Sequence, residues 1–271
     1  MRFSMYLPKK IFGYLTKFLV IMVVCTATVS AQKESDEPTL TRTVRVLLAG
    51  TRPMPAFERK GNQVIEVDPP LSACPPTSIS FEKPEHAPRS SRTKKPVVEY
   101  SIWPGELIIL KKYKGPSQIG FILKTPLIAP DDTGVKVECD MGTMINPLIV
   151  ITPGEGREKW RDPKLFVIDV GQEKFGESKV LVINDSSFPL RVQFAKDPVY
   201  IKPKKFGLVP LAKGGGDTHR YQIDSKIDNE VVRVSNSSYR SKSGVRLIIL
   251  AMPSKAKKSP LALRLITETV E

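Results

Sequence analysis

Cysteine, histidine, tryptophan and long apolar runs are what this chain has least of. Its 271 residues include three cysteines, two histidines and two tryptophans. Neither His86 nor His219 has a Cys, His or carboxylate beside it at metal-ligand spacing, which argues against a zinc or copper site and leaves both as solvent-facing loop residues. No G-x-S-x-G elbow presents a serine nucleophile. A Ser-His-Asp assembly stays open on sequence order alone, because triads are spatial. Gly214-Gly215-Gly216-Asp217 has the glycine content of a phosphate loop without its Gly-Lys-Ser/Thr ending, so it reads as a hairpin tip. Asp131-Asp132 and Glu138-Cys139-Asp140 bring carboxylates together only along the chain, where strand neighbours point to opposite faces. The expectation is a chain with no catalytic residue, no cofactor and no metal. Basic and aromatic residues do not interleave as in single-strand binders, so specific nucleic-acid recognition is not expected either.

No apolar run reaches the roughly twenty residues of a transmembrane helix. The longest candidate, Phe18 to Val29, has twelve and follows Arg2, Lys9, Lys10 and Lys17. Val29-Ser30-Ala31 then supplies the small residues a signal peptidase reads. Residues 1–31 are therefore expected to be a signal peptide cleaved between Ala31 and Gln32, with a polar segment over 32–40. The alternative is a retained anchor, lengthened through Ile11 to Leu15 by snorkelling basic residues. A lipoprotein built on Cys25 fits poorly after the bulky Val24. The expected location is the periplasm or outside the cell, with no stable membrane span after cleavage. The signal holds four of the 42 basic residues and none of the 28 acidic ones, so the mature chain keeps a net charge of +10. A charge of this size attracts anionic partners at long range, or simply keeps the protein soluble. Cleavage also leaves only Cys74 and Cys139. In an oxidising compartment the two can pair, closing a loop worth about 4 kcal/mol. Alternatively Cys139, within the alternating VKVECDM, is a small apolar residue of the core.

The mature chain reads as all-β. Short β-rich runs such as TVRVLLA, NQVIEV and LRVQF are punctuated by proline and glycine, and none has helical period. The spacing predicts two tandem antiparallel β-sandwich modules, Ig-like or jelly-roll-like, over 41–156 and 157–271. A basic loop over 84–96 is expected to be mobile, and the boundary is placed at Thr152-Pro153-Gly154-Glu155-Gly156. Trp103-Pro104-Gly105-Glu106 predicts a type II turn, since proline fixes the first φ and glycine accepts the positive second one.

Basic clusters recur at 89–95, 111–114, 202–205 and 255–258. With Trp103 and Trp160 they supply the candidate ligand residues: Lys111, Lys112, Lys204 and Lys205 for charge, the tryptophans for stacking on a sugar. Packing at the module interface is the commoner fate of such tryptophans. Asn184-Asp185-Ser186 and Asn236-Ser237-Ser238 match glycosylation sequons, which matter only in a eukaryotic host.

The segments KVLVINDSSFPLRVQF, YIKPKKFGLVPL and GVRLIILAMP, with TVRVLLAG near the start, resemble a group of uncharacterised exported two-module β-proteins of Verrucomicrobia-type bacteria. Lys204 and Lys205 stand after Pro203 where that group has glycine. The resemblance implies fold and export, and no activity. The expected function is noncatalytic binding or assembly work at the cell envelope, the partner being another envelope protein or an anionic surface polymer. The alternatives are a lectin-like binder of anionic polysaccharide and a hydrolase with a dispersed site.

Overall fold

The computed structural model describes residues 40–51, 53, 55–82, 97–125, 134–155, 159–212, 217–256 and 259–270. The signal peptide with Ala31 and Gln32, the segment before residue 40, the loop over 84–96 with His86, Asp131-Asp132 and the Gly214-Gly215-Gly216 tip lie outside the described residues. No described helix is long and apolar enough to cross a membrane.

The described chain is all-β. In the first part the strands are β1 (Leu40–Leu48), β2 (Ala56–Lys60), β3 (Gln63–Val67), β4 (Ser78–Glu82), β5 (Val97–Ser101), β6 (Leu107–Gly115), β7 (Gln118–Lys124), β8 (Val135–Asp140), β9 (Pro147–Thr152) and β10 (Lys164–Asp169). The second part contributes β11 (Lys179–Asn184), β12 (Leu190–Gln193), β13 (Val199–Ile201), β14 (Lys205–Pro210), β15 (Thr218–Ile227), β16 (Glu230–Arg240), β17 (Val245–Ala256) and β18 (Ser259–Thr269).

Two four-stranded sheets come from each part: β10-β9-β1-β6 and β5-β4-β7-β8, then β14-β11-β17-β18 and β13-β12-β15-β16. The pairing pattern occurs twice. β1 runs antiparallel to β6 and parallel to β9, which is antiparallel to β10. β11 repeats this with β14, β17 and β18. Likewise β4 pairs β5 and β7, and β7 pairs β8, as β12 does with β13 and β15, and β15 with β16. Only the hairpin β2-β3 has no counterpart among the described strands.

Two expectations are corrected here. The sheets are not purely antiparallel, because β1/β9 and β11/β17 are parallel pairs. And the expected boundary at Thr152-Pro153-Gly154-Glu155-Gly156, whose last residue lies outside the described residues, falls between two paired strands of one sheet. These are β9 and β10, which pair along their whole length from Lys164↔Thr152 to Asp169↔Pro147. The passage to the second set of strands runs through 170–178.

Three hydrophobic cores explain both corrections. Val44, Val46 and Leu48 of β1 and Ile149 and Ile151 of β9 face Ile79, Phe81, Phe121 and Leu123 across the first core. Val180 and Val182 of β11 and Leu247 and Ile249 of β17 face Leu190, Val192 and Ile223 across the second. The intervening residues of the same four strands meet each other in a third: Leu47, Leu148 and Val150 against Leu181, Ile183, Ile248 and Leu250. The layers therefore stack as four sheets with three cores between them. The two inner sheets are buried on both faces, which is the usual setting of parallel pairing and of strands written as unbroken apolar runs. VRVLL, PLIVIT, KVLVIN and VRLIILA are those runs. The outer strands keep one wet face, as the alternating burial of Gln118–Lys124 and Leu190–Gln193 shows.

The Trp103 turn forms as its chemistry requires. Glu106 N donates to Trp103 O at 2.9 Å, and Gly105 has φ of 77°.

Candidate binding cleft

Alongside the third core, where edge strands β6 and β18 leave the inner sheets open, lies a cleft of about 590 Å³. Its charged group begins with a cross-strand pair. Arg246 of β17 lies directly opposite Glu268 of β18, so their side chains leave the sheet on the same side. Arg246 Nη2 donates to Glu268 Oε2 at 2.8 Å, while Arg45 Nε reaches across from β1 to Glu268 Oε1. The second guanidinium nitrogen of Arg246 donates to Val170 O at 2.6 Å and to Phe175 O at 2.7 Å, and its plane sits 4.6 Å from the Phe175 ring centroid. Burial pushes the Arg246 pKa down, and the Glu268 carboxylate opposes that. Arg246 Nε is buried without a hydrogen-bond partner.

One carboxylate thus serves two buried guanidinium groups, and the same cleft receives two more cations. Between Arg42 and Val44 the β1–β6 register slips, which sets both Lys111 and Lys112 opposite Thr43. Lys112 occupies the left-handed region with φ of 57°. A bulge of this kind re-aims side chains that a regular strand would send to opposite faces. Here both lysines line the cleft, with Thr43, Asn146 and Gln172 as neutral polar neighbours. The arrangement offers a positive, hydrogen-bonding surface to an anion.

The structure separates the other sequence candidates from this place. Trp160 is a correction: it is 4% exposed and belongs to the first core, where a Cβ on Gly50 would stand 3.0 Å from its ring. It cannot stack on a ligand because the apolar interior already holds it. Trp103 is 54% exposed on its turn, outside the cleft lining. Lys204 Nζ is held by Asp185, donating to its O at 2.5 Å and its Oδ1 at 2.8 Å. Burial pushes the Asp185 carboxyl up, with Lys204 pulling the other way. Lys205 opens β14 opposite Asn184. Asn184 is itself buried, its amide donating to Phe188 O, Ile201 O and Lys202 O, so the first sequon is a structural turn in the folded chain.

Cys74 and Cys139 are both free thiols, so the bridge is not formed. Cys139 lines the first core, and burial, aided by Asp140, pushes its pKa up to about 12. His219 is a further correction, being buried on β15 rather than solvent-facing. Its Nε2 lies 3.1 Å from Ser241 Oγ, while its Nδ1 has no partner and so no orienting carboxylate. Ser241 Oγ donates to Asp217 O, and the pair does not line the cleft. Among the described residues no three His, Cys, Asp or Glu side chains group as metal ligands.

Arg45, Arg246 and Glu268 were the residues that sequence reasoning passed over. Their signal is a charge set inside an apolar strand, as in TVRVLLA, GVRLIILA and LITETV, because a charge buried there needs a partner. No protein-family model matches the chain, and no curated protein matches it significantly.

Proposed function

We propose that the chain is a noncatalytic exported binding protein. Its repeated eight-strand sets act as two tandem sandwich modules, and the cleft between the inner sheets holds an acidic stretch of a surface polysaccharide or lipopolysaccharide. One observation supports this most: among the described lining residues, four cations, Arg45, Arg246, Lys111 and Lys112, share a single cleft with one carboxylate, Glu268. Glu268 balances the buried guanidinium pair only in part, and the bulge brings the lysines to the same lining. Attraction of this kind suits a polyanion and weakens as salt screens it. A signal peptide over residues 1–31, as the sequence leads us to expect, would bring the protein to where such polymers are found. Exposed Trp103 gives a place for a sugar ring to stack, apart from the cleft.

The test is calorimetric titration with oligogalacturonate and heparin oligosaccharides, with neutral dextran as control, at low and moderate salt. Binding to the anionic oligomers that weakens with salt is expected. Lys111→Glu with Lys112→Glu should lower affinity at least about tenfold, a loss of about 1.4 kcal/mol. Equal affinity for dextran, or no effect of the charge reversals in a folded variant, overturns the reading.

A further inference from the structure

The hairpin β2-β3 forms a two-stranded sheet by itself, and no other described strand pairs with it. All five residues of β2 and four of the five in β3 are exposed. Phe57 is 71% exposed, Val64 67% and Ile65 38%, three of the large hydrophobics that the chain leaves to solvent. A lone two-stranded hairpin is at best marginally stable in water. This one closes tightly, with Gly61 at φ of 64° in the first central position of a two-residue loop. It is also the one strand pair that the second eight-strand set lacks.

Its registers define one face. Phe57 is opposite Glu66 and Arg59 is opposite Val64. Direct partners share a side and residues two apart along a strand share a side, so these four form a rectangle. The apolar residues occupy one diagonal, the charged residues the other. A two-fold axis laid along the Phe57–Val64 diagonal sets Phe57 on Phe57 and Val64 on Val64 of a second copy. The same rotation carries Arg59 to about 3 Å from the position of the second copy's Glu66, and Glu66 likewise to its Arg59, within reach of an ion pair. With about 4.8 Å between strands and about 6.8 Å between alternate residues, that axis lies about 35° from the strands, so the two hairpins cross at roughly 70°, near the orthogonal class of sheet packing. A two-fold interface must be self-complementary, and this face meets that condition in both shape of pattern and charge.

We propose that β2-β3 is a dimerisation arm whose occupant is the same arm of a second copy. The face is small beside the roughly 1,200 Å² of a stable interface, so the dimer is weak and forms at high local concentration.

Sedimentation equilibrium of the full chain up to about 0.5 mM reads it, since a contact of this size belongs in the micromolar-to-millimolar range. Arg59→Glu and Glu66→Arg should each raise the dimer dissociation constant at least tenfold, and the double swap should restore it. Phe57→Ser should abolish the dimer while far-UV circular dichroism and the melting point stay unchanged, because the arm is outside the three cores. A chain that remains monomeric across the range, or a dimer indifferent to the single reversals, overturns the proposal. So does a double swap that stays as weak as either single.

Discussion

Glu268 is the residue on which most depends, because among the described residues its carboxylate pairs with both Arg45 and Arg246. Removing one member of a buried ionic group leaves the others charged and unpaired, which costs about 3–5 kcal/mol. Glu268→Ala should therefore lose that much in urea unfolding, far more than loss of an exposed pair such as Lys164–Glu155. On the outer sheet, Asp224 contributes to the acid side of the stability profile. Burial would raise its pKa, but hydrogen bonds from Gln222, Arg233 and Arg191 overcome this and hold it below the usual carboxylate range. A folded-state pKa below the unfolded one means that the unfolded chain binds the proton first as pH falls. The stability Asp224 contributes is thus full above the ordinary carboxylate range and is lost as pH drops through its lowered value. Asp224→Asn should unfold more readily than the native chain at neutral pH, the difference shrinking in acid. A difference that grows in acid would contradict the assignment. Cys139, with its pKa pushed up to about 12, should resist Ellman's reagent until the chain unfolds, for the thiolate is the reactive form.

At the scale of elements, most strands were legible in the sequence, though not the charged AFERK of β2 or the KFGLVP of β14, and their neighbours were not. The Trp103-Pro104-Gly105 turn and the alternating LRVQF were readable because proline, glycine and side-chain period act locally. The parallel pairs β1/β9 and β11/β17 were hidden, since a partner more than sixty residues away leaves no local mark beyond an apolar run. That run was the available clue. VRVLL and KVLVIN are apolar on consecutive residues because each has a core on both sides. The lysine candidates show the same division. KKYK advertised charge, but only the bulge opposite Thr43 sends Lys111 and Lys112 into one cleft, and no rule of composition foretells a bulge. Lys112 at φ of 57° keeps a conformation costing an ordinary side chain about 1 kcal/mol that glycine would not incur. Lys112→Gly should leave thermal stability unchanged or raise it by up to about 1 kcal/mol, while polyanion binding falls. Opposite signs for stability and binding would mark the lysine as retained for its charge. A parallel loss of both would mean that it serves the bulge instead.

The third core governs how the whole molecule behaves. If the two eight-strand sets met only at a polar surface, each would unfold by itself, because relative independence is the default where an interface is small and wet. Here Leu47, Leu148 and Val150 on one side and Leu181, Ile248 and Leu250 on the other are fully buried against one another, with Glu268 bridging to Arg45 beside them. Separating the sets would expose an apolar layer and leave Arg45 without its carboxylate. Both tryptophans lie in the first set, so their fluorescence reports on that set alone. Leu190 lies in the second core, among residues of the second set only. Leu190→Ala should cost about 2–5 kcal/mol by the usual cavity penalty. If the third core couples the sets, the fluorescence midpoint falls together with the midpoint from far-UV circular dichroism, in one transition. Were the sets independent, tryptophan fluorescence would keep its native midpoint while circular dichroism split into two steps, and the four-sheet stack would be two proteins on one chain.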